Sequence, residues 1–281
     1  MVHGILYFFD IILYTLGVFV ICGLVVSLCE RIFTKLVGSG SGYAAIIASS
    51  IVGTPIHELG HAIMCLLFWH KINDIKFWQS PTNDGTLGYV NHSYNPKNPY
   101  QVFGNMFIAI GPIFSGLSVV MLILLLCYPQ SLNEYFEASG ALIENGGSFF
   151  EIFGISLSLV IGVFTEGTVD IWWRILAILL ILSVCLHISL SGADIRGGLT
   201  SLPIYLLLAF LCALITSFIG EEAICASEDG LRFFAMLMLT LFMIVIIFSL
   251  IMVMIGIVYW SVCVLINERK EKGKKNENSQ G

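Results

Sequence analysis

Hydrophobic residues fall in long uninterrupted runs rather than along one helical stripe, and the polar residues gather between the runs. Such runs require burial on every side of a helix, which a lipid bilayer supplies. A spanning helix needs about 20 apolar residues. Runs of that order predict six spans, at Ile11–Leu28, Tyr43–Trp69, Val102–Tyr128, Ile171–Leu190, Thr200–Ile219 and Leu231–Ile266. A further apolar stretch, Ser148–Phe164, is interrupted by Glu151. Lys71–Gln101 has a different character. Runs rich in Ile, Phe, Trp, Tyr and Val flank Ser80-Pro81-Thr82-Asn83-Asp84-Gly85, a strong turn signal. This predicts a small β-hairpin over Ile72–Tyr94 at the membrane surface. The Gly-rich, acidic segment Gln130–Asp170 reads as a long external loop, and the Lys-rich tail Asn267–Gly281 as disordered.

The expected fold class is an all-α polytopic membrane protein of about six transmembrane helices. It divides into an N-terminal helix and loop (1–42), a central unit (43–199), two C-terminal helices (200–266) and the tail (267–281). Composition agrees: the chain is 57% hydrophobic and 11% charged, against roughly a quarter charged for a soluble domain. The formal charge of −6 comes with no basic patch outside the tail, which argues against a nucleic-acid partner. The eight cysteines lie mostly inside apolar runs and none has C-x-x-C spacing, so they read as free, small hydrophobes. The first apolar run has no basic lead and no small-residue cleavage site, and reads as a retained span.

Positive charge sets the expected orientation. With both termini inside, Lys71, Lys76, Lys97, Arg196, Arg269, Lys270, Lys272, Lys274 and Lys275 are cytoplasmic, and only Arg31, Lys35, Arg174 and Arg232 lie opposite. The positive-inside rule therefore favours cytoplasmic termini, in a cytoplasmic membrane if the source is bacterial.

The second span carries His57-Glu58-Leu59-Gly60-His61. On a helix, positions i and i+4 share a face, so the two imidazoles can meet one ion, with Glu58 beside them to take a proton from a water on that ion. Imidazole suits Zn²⁺, and three protein ligands leave a fourth position open. Chance produces such a motif in a chain of this composition at about half a percent. Its place inside an apolar span makes it functional by default, because a Glu and two His are costly there. The third ligand must come from elsewhere. Asp194, in Ser191-Gly192-Ala193-Asp194-Ile195-Arg196-Gly197-Gly198 at the end of the fourth span, is the candidate; pairing with Arg196 is its other reading. His187, two helical turns earlier, is open as a ligand, a supporting partner or a core histidine. Gly53-Thr54-Pro55 is expected to kink the span just before the motif. A site shared by the second and fourth spans needs those helices parallel, so Ser148–Phe164 is not expected to cross.

These residues resemble the site-2 protease family of intramembrane zinc metalloproteases. The likeness covers roughly Tyr43–Leu199 and rests on the His57–His61 motif inside a span, Gly111-Pro112 in the next, and an Asp-bearing helix after that. It implies a three-helix metalloprotease core and zinc held by His57, His61 and Asp194. It further implies Glu58 as general base and cleavage of membrane-protein or peptide substrates in the bilayer near its cytoplasmic face. Two departures stand out. Gly111-Pro112-Ile113-Phe114-Ser115 replaces the common Gly-Pro-x-x-Asn, with Asn105 a possible substitute contact, and Ser191-Gly192-Ala193-Asp194 lacks an Asn/Pro-rich lead. Two other classes share some of these features. A prenyl-protein-type membrane metalloprotease takes its third ligand from a later Glu-rich helix, here represented only by Glu221-Glu222. A transporter or scaffold would carry the metal motif as a vestige. The sequence is silent on oligomeric state.

Overall fold

A computed structural model describes residues 2–38, 41–82, 85–166 and 169–278. The chain is 82% helical, with one small two-stranded sheet among the described residues. Helix α1 (Val2–Ile12) passes through a π turn at Leu13–Gly17 into α2 (Val18–Val37). There follow α3 (Ser41–Leu67), β1 (Lys71–Lys76), β2 (Tyr89–Ser93), α4 (Pro99–Cys127) and α5 (Pro129–Asn145). The chain continues through α6 (Phe149–Thr165), α7 (Ile171–Cys185), α8 (Gly192–Leu199), α9 (Leu202–Ile219) and α10 (Glu221–Asn278).

Among the described residues, four helices are long and apolar enough to cross a membrane: Gly4–Val37, Pro99–Cys127, Leu202–Ile219 and Glu221–Asn267. The six expected runs all lie on helices, but two differ in kind. Helix α3 has the length, with an apolarity diluted by His57, Glu58 and His61. Helix α7 spans only 15 residues, about 22 Å. Helix α10 starts ten residues ahead of the apolar run because Glu221 and Glu222 occupy its first turn, where carboxylates meet the positive end of the helix dipole. It also runs to Asn278 through most of the tail expected to be disordered, and 279–281 lie outside the described residues.

The segment 130–170 is no loop. Helices α5 and α6 fold into a hairpin that turns at Gly146, whose φ of 71° is left-handed and suits glycine. Glu151 does not interrupt the apolar stretch; it starts α6. Its carboxylate accepts from Ser148 N at 2.7 Å while Ser148 Oγ accepts from Glu151 N at 3.4 Å, a capping box. Because the hairpin goes out and comes back, it leaves the direction of the next helix unchanged.

Contacts set that direction. Ser183 Oγ donates to Ser49 O at 2.6 Å, and further along both helices the His57 ring meets His187 O at 2.6 Å. Helices α3 and α7 therefore run parallel. Helix α4 runs antiparallel to α3: Ser115 Oγ donates to Ile56 O at 2.7 Å, and beyond it Gly60 faces Gly111 and Phe68 faces Gly104. At Gly60 and Gly111 the two backbones touch. A Cβ on Gly111 would lie 2.6 Å from the Gly60 carbonyl oxygen, and one on Gly60 would strike the Gly111 carbonyl. Small residues are how helices without a water-driven force between them approach closely.

The sheet is antiparallel, with a register irregularity between Ile72 and Asp74. Its connection turns where the sequence predicts: Gly85 N donates to Thr82 O at 2.9 Å and Gln79 N to Leu87 O at 2.7 Å, with Asn83 and Asp84 outside the described residues. On its way it runs back along α3. Gly88 packs against Thr54 and Glu58, and Trp78 Nε1 donates to Ser50 Oγ at 2.9 Å. Ser50 lies eight residues before Glu58, about 12 Å of helix, so the hairpin lies beside α3 as well as beyond its end.

The backbone contact predicts a sharp contrast between glycines. Gly60→Val forces α3 and α4 apart at a cost of about 1–3 kcal/mol, read as a lowered melting temperature in detergent. Gly140→Ala on α5, where a Cβ meets open space, leaves the melting temperature unchanged or raises it.

Candidate metal centre

Four side chains singled out in the sequence meet in one cavity of about 630 Å³. His57, Glu58 and His61 reach it from the middle of α3, and Asp194 from the first turn of α8. Glu58 and His61 are buried, and none of the hydrogen bonds among the described residues occupies the Glu58 carboxylate. Ligand atoms of His57, His61 and Asp194 all lie within 4.8 Å of one another, a group that could hold a metal ion.

Hydrogen-bond roles decide what the centre can hold. His57 Nδ1 lies 2.6 Å from His187 O, and His61 Nδ1 lies 2.7 Å from Ile108 O. A carbonyl only accepts, so each Nδ1 carries its hydrogen and each neutral ring turns a bare Nε2 inward. Those Nε2 atoms are 3.1 Å apart. Asp194 Oδ1 lies 3.2 Å from His61 Nε2, and Oδ2 lies 3.8 Å from His57 Nε2. Two lone pairs and a carboxylate converging in a buried site could hold a cation among them. A shared proton would satisfy one of those contacts; a metal ion satisfies all three.

Both supporting carbonyls are free for a reason. In α4 the Ile108 carbonyl would ordinarily accept from the N–H four residues on, and that residue is Pro112, which has none. The His187 carbonyl lies beyond Cys185, the end of α7, where the helix offers no donor. Such outer partners fix the tautomer and orientation of ligating imidazoles.

Asp194 is set by the same kind of local device. It is the third residue of α8, where its N–H donates to Ser191 Oγ at 3.1 Å and its Oδ2 accepts from Ser191 N at 2.8 Å. Arg196 also lines the cavity, but no ion pair joins it to Asp194 among the described residues. The His187 ring is not among the groups that line the cavity: its Nδ1 bonds Ser183 O at 2.9 Å and the ring packs on Gly53. Its part in the site is played by its backbone. Asn105 is buried on the cavity wall and donates to Thr200 Oγ1 at 2.9 Å.

The far wall belongs to the expected hairpin, but the sequence did not single out which of its residues face the cavity. Gly88, Val90, His92 and Tyr94, alternate residues along β2 and its approach, line the cavity with Tyr89. His70 Nε2 donates to Gln101 O at 2.8 Å and its Nδ1 lies 3.0 Å from His92 Nδ1, so His92 is held through its neighbour. Burial, reinforced by His70 and His61, pushes His92 down to about 4, leaving it neutral at physiological pH. The signal available was the alternation itself, together with an imidazole in a strand next to the motif.

No family model, curated protein or solved structure matches the chain.

Pro112→Ala restores an N–H that competes for the Ile108 carbonyl and so releases His61. Zinc affinity, measured by competition with a chromogenic chelator, is expected to fall about tenfold. The helix itself should remain, as read by circular dichroism.

Proposed function

We propose that the protein is an intramembrane zinc metalloendopeptidase of the site-2 protease type, cleaving peptide bonds in or near transmembrane segments of other proteins. The observation that carries the reading is the convergence of two bare Nε2 atoms and one carboxylate beside the buried Glu58. Two imidazoles and a carboxylate suit Zn²⁺, and three protein ligands are the number that catalytic zinc sites use. When bound, zinc polarises the scissile carbonyl and acidifies a water.

The chain's own residues supply the rest. Glu58 takes the proton from the attacking water and returns it to the leaving amine nitrogen. Asp194 and the two imidazoles stay fixed by Ser191, Ile108 and His187. A helical substrate hides its amide in internal hydrogen bonds and must be held extended. Strand β2 borders the cavity and has no second partner strand among the described residues. Its free edge suits pairing with an unwound segment. The small residues Gly192, Ala193 and Gly197 line the cavity opposite, leaving room for a backbone.

The prenyl-protein-type alternative needs a later Glu as ligand. Glu221 and Glu222 start α10 and are not among the residues lining this cavity. A transporter or scaffold with a vestigial site would have no need of an intact, buried Glu58 beside complete ligand supports.

Purified protein with labelled casein as a general unfolded substrate tests the reading. Glu58→Gln is expected to lose at least about a hundredfold in cleavage rate while keeping one equivalent of metal by elemental analysis. Retained proteolysis would sink the base assignment. Asp194→Ala should bind substoichiometric zinc. Chelation should abolish cleavage by the wild type, and added zinc should restore it.

A further inference from the structure

One acidic side chain in the N-terminal span lies far from the motif in sequence. Glu30 is on α2, inside the apolar segment Gly4–Val37, where an acid is costly unless it has a partner and a purpose. Its partner is specific: Ser189 Oγ donates to Glu30 Oε2 at 2.5 Å. One turn earlier, Ser27 Oγ accepts from Leu190 N at 3.2 Å. One turn earlier again, Gly23 meets the Leu190 side chain, and a Cβ there would lie 3.2 Å from Leu190 Cδ1. Gly23, Ser27 and Glu30 are spaced i, i+4 and i+7 and share one helix face. That face grips Ser189 and Leu190.

The gripped pair sits in the short link between α7 and α8. Two residues before Ser189 is His187, whose carbonyl holds the His57 ring. Immediately after Leu190 is Ser191, which caps α8 and holds Asp194. From the other side, Ile188 is seated on Gly116 of α4. The link thus carries the outer support of one candidate ligand and the cap of another within five residues. Its backbone joins the helices at its two ends, where His187 N donates to Val184 O at 2.9 Å and Ser191 O accepts from Ile195 N at 3.1 Å.

We propose that Glu30 and Ser27 are positioning residues for the metal centre: α2 clamps the 187–191 link and thereby fixes both the His187 carbonyl and Asp194. The inference rests on the metal-site reading above. It extends the site beyond α3 and α8, which supply its ligands, into the N-terminal unit. The Glu30 carboxylate acts through Ser189, so an uncharged acceptor of the same length serves equally.

Zinc affinity of the full-length protein in detergent tests this, with the visible spectrum of the Co²⁺-loaded protein as a report on ligand geometry. Glu30→Ala is expected to weaken zinc binding at least tenfold and to alter the Co²⁺ spectrum. Glu30→Gln, which keeps an acceptor for Ser189, should stay within threefold of the wild type with an unaltered spectrum. Ser189→Ala makes the smallest change that removes the same bond and should reproduce Glu30→Ala, so it decides the matter if the latter fails to fold. Wild-type affinity in Ser189→Ala or Glu30→Ala overturns the inference alone, as does an equal loss in Glu30→Gln and Glu30→Ala. A wild-type chain that binds no zinc overturns the metal-site reading, and this inference with it.

Discussion

The arrangement depends on a simple rule: a buried ring N–H must find an acceptor, and in a helix bundle nearly every backbone carbonyl is already taken. Two that escape are that of Ile108, because Pro112 follows four residues later, and that of His187, because α7 has ended. Each receives one imidazole N–H of α3. The remaining ring nitrogens are then forced to face one another and Asp194. The site is thus shaped by where helices lack hydrogen bonds as much as by the residues of the motif.

The helices bring those parts together through small residues. Gly60 and Gly111 let α3 and α4 touch, which puts Ile108 within reach of His61. Gly53 lets α7 close on α3, which puts His187 beside His57. Helix α7 reaches α3 in parallel because the α5–α6 hairpin returns the chain to where α4 left it. A chain that crossed once more between α4 and α7 would bring Asp194 to the wrong end of α3.

Much of this was legible in the sequence. Long apolar runs gave the helices, since only burial on all sides explains them. The spacing of His57 and His61, and a carboxylate in a Gly-rich link, named the residues that meet in the cavity. The stretch 130–170 misled because its acids and glycines signal a loop when counted, yet Glu151 is a helix cap and Gly146 a turn. The supports of the site were harder to read because they are carbonyls, and a carbonyl belongs to every residue. Only Pro112 betrays one of them. Glu30, next to Arg31 just past a predicted span, looks like an ordinary interfacial pair until the fold sets Ser189 against it.

The touching backbones at Gly60 and Gly111 bear on how the molecule moves. Side chains can give by rotating, but two main chains in contact have nothing to rotate. Over that crossing α3 and α4 form one rigid body, carrying His57, Glu58, His61 and the Ile108 carbonyl together. Any rearrangement of the cavity must then come from its other walls. The other walls, the strand carrying His92 and the short α8, are joined to that body through side chains such as Asn105 and His70 rather than by touching main chains. The Glu58 carboxylate is mounted on the fixed wall, and any change in the shape of the cavity falls to the lighter elements around it.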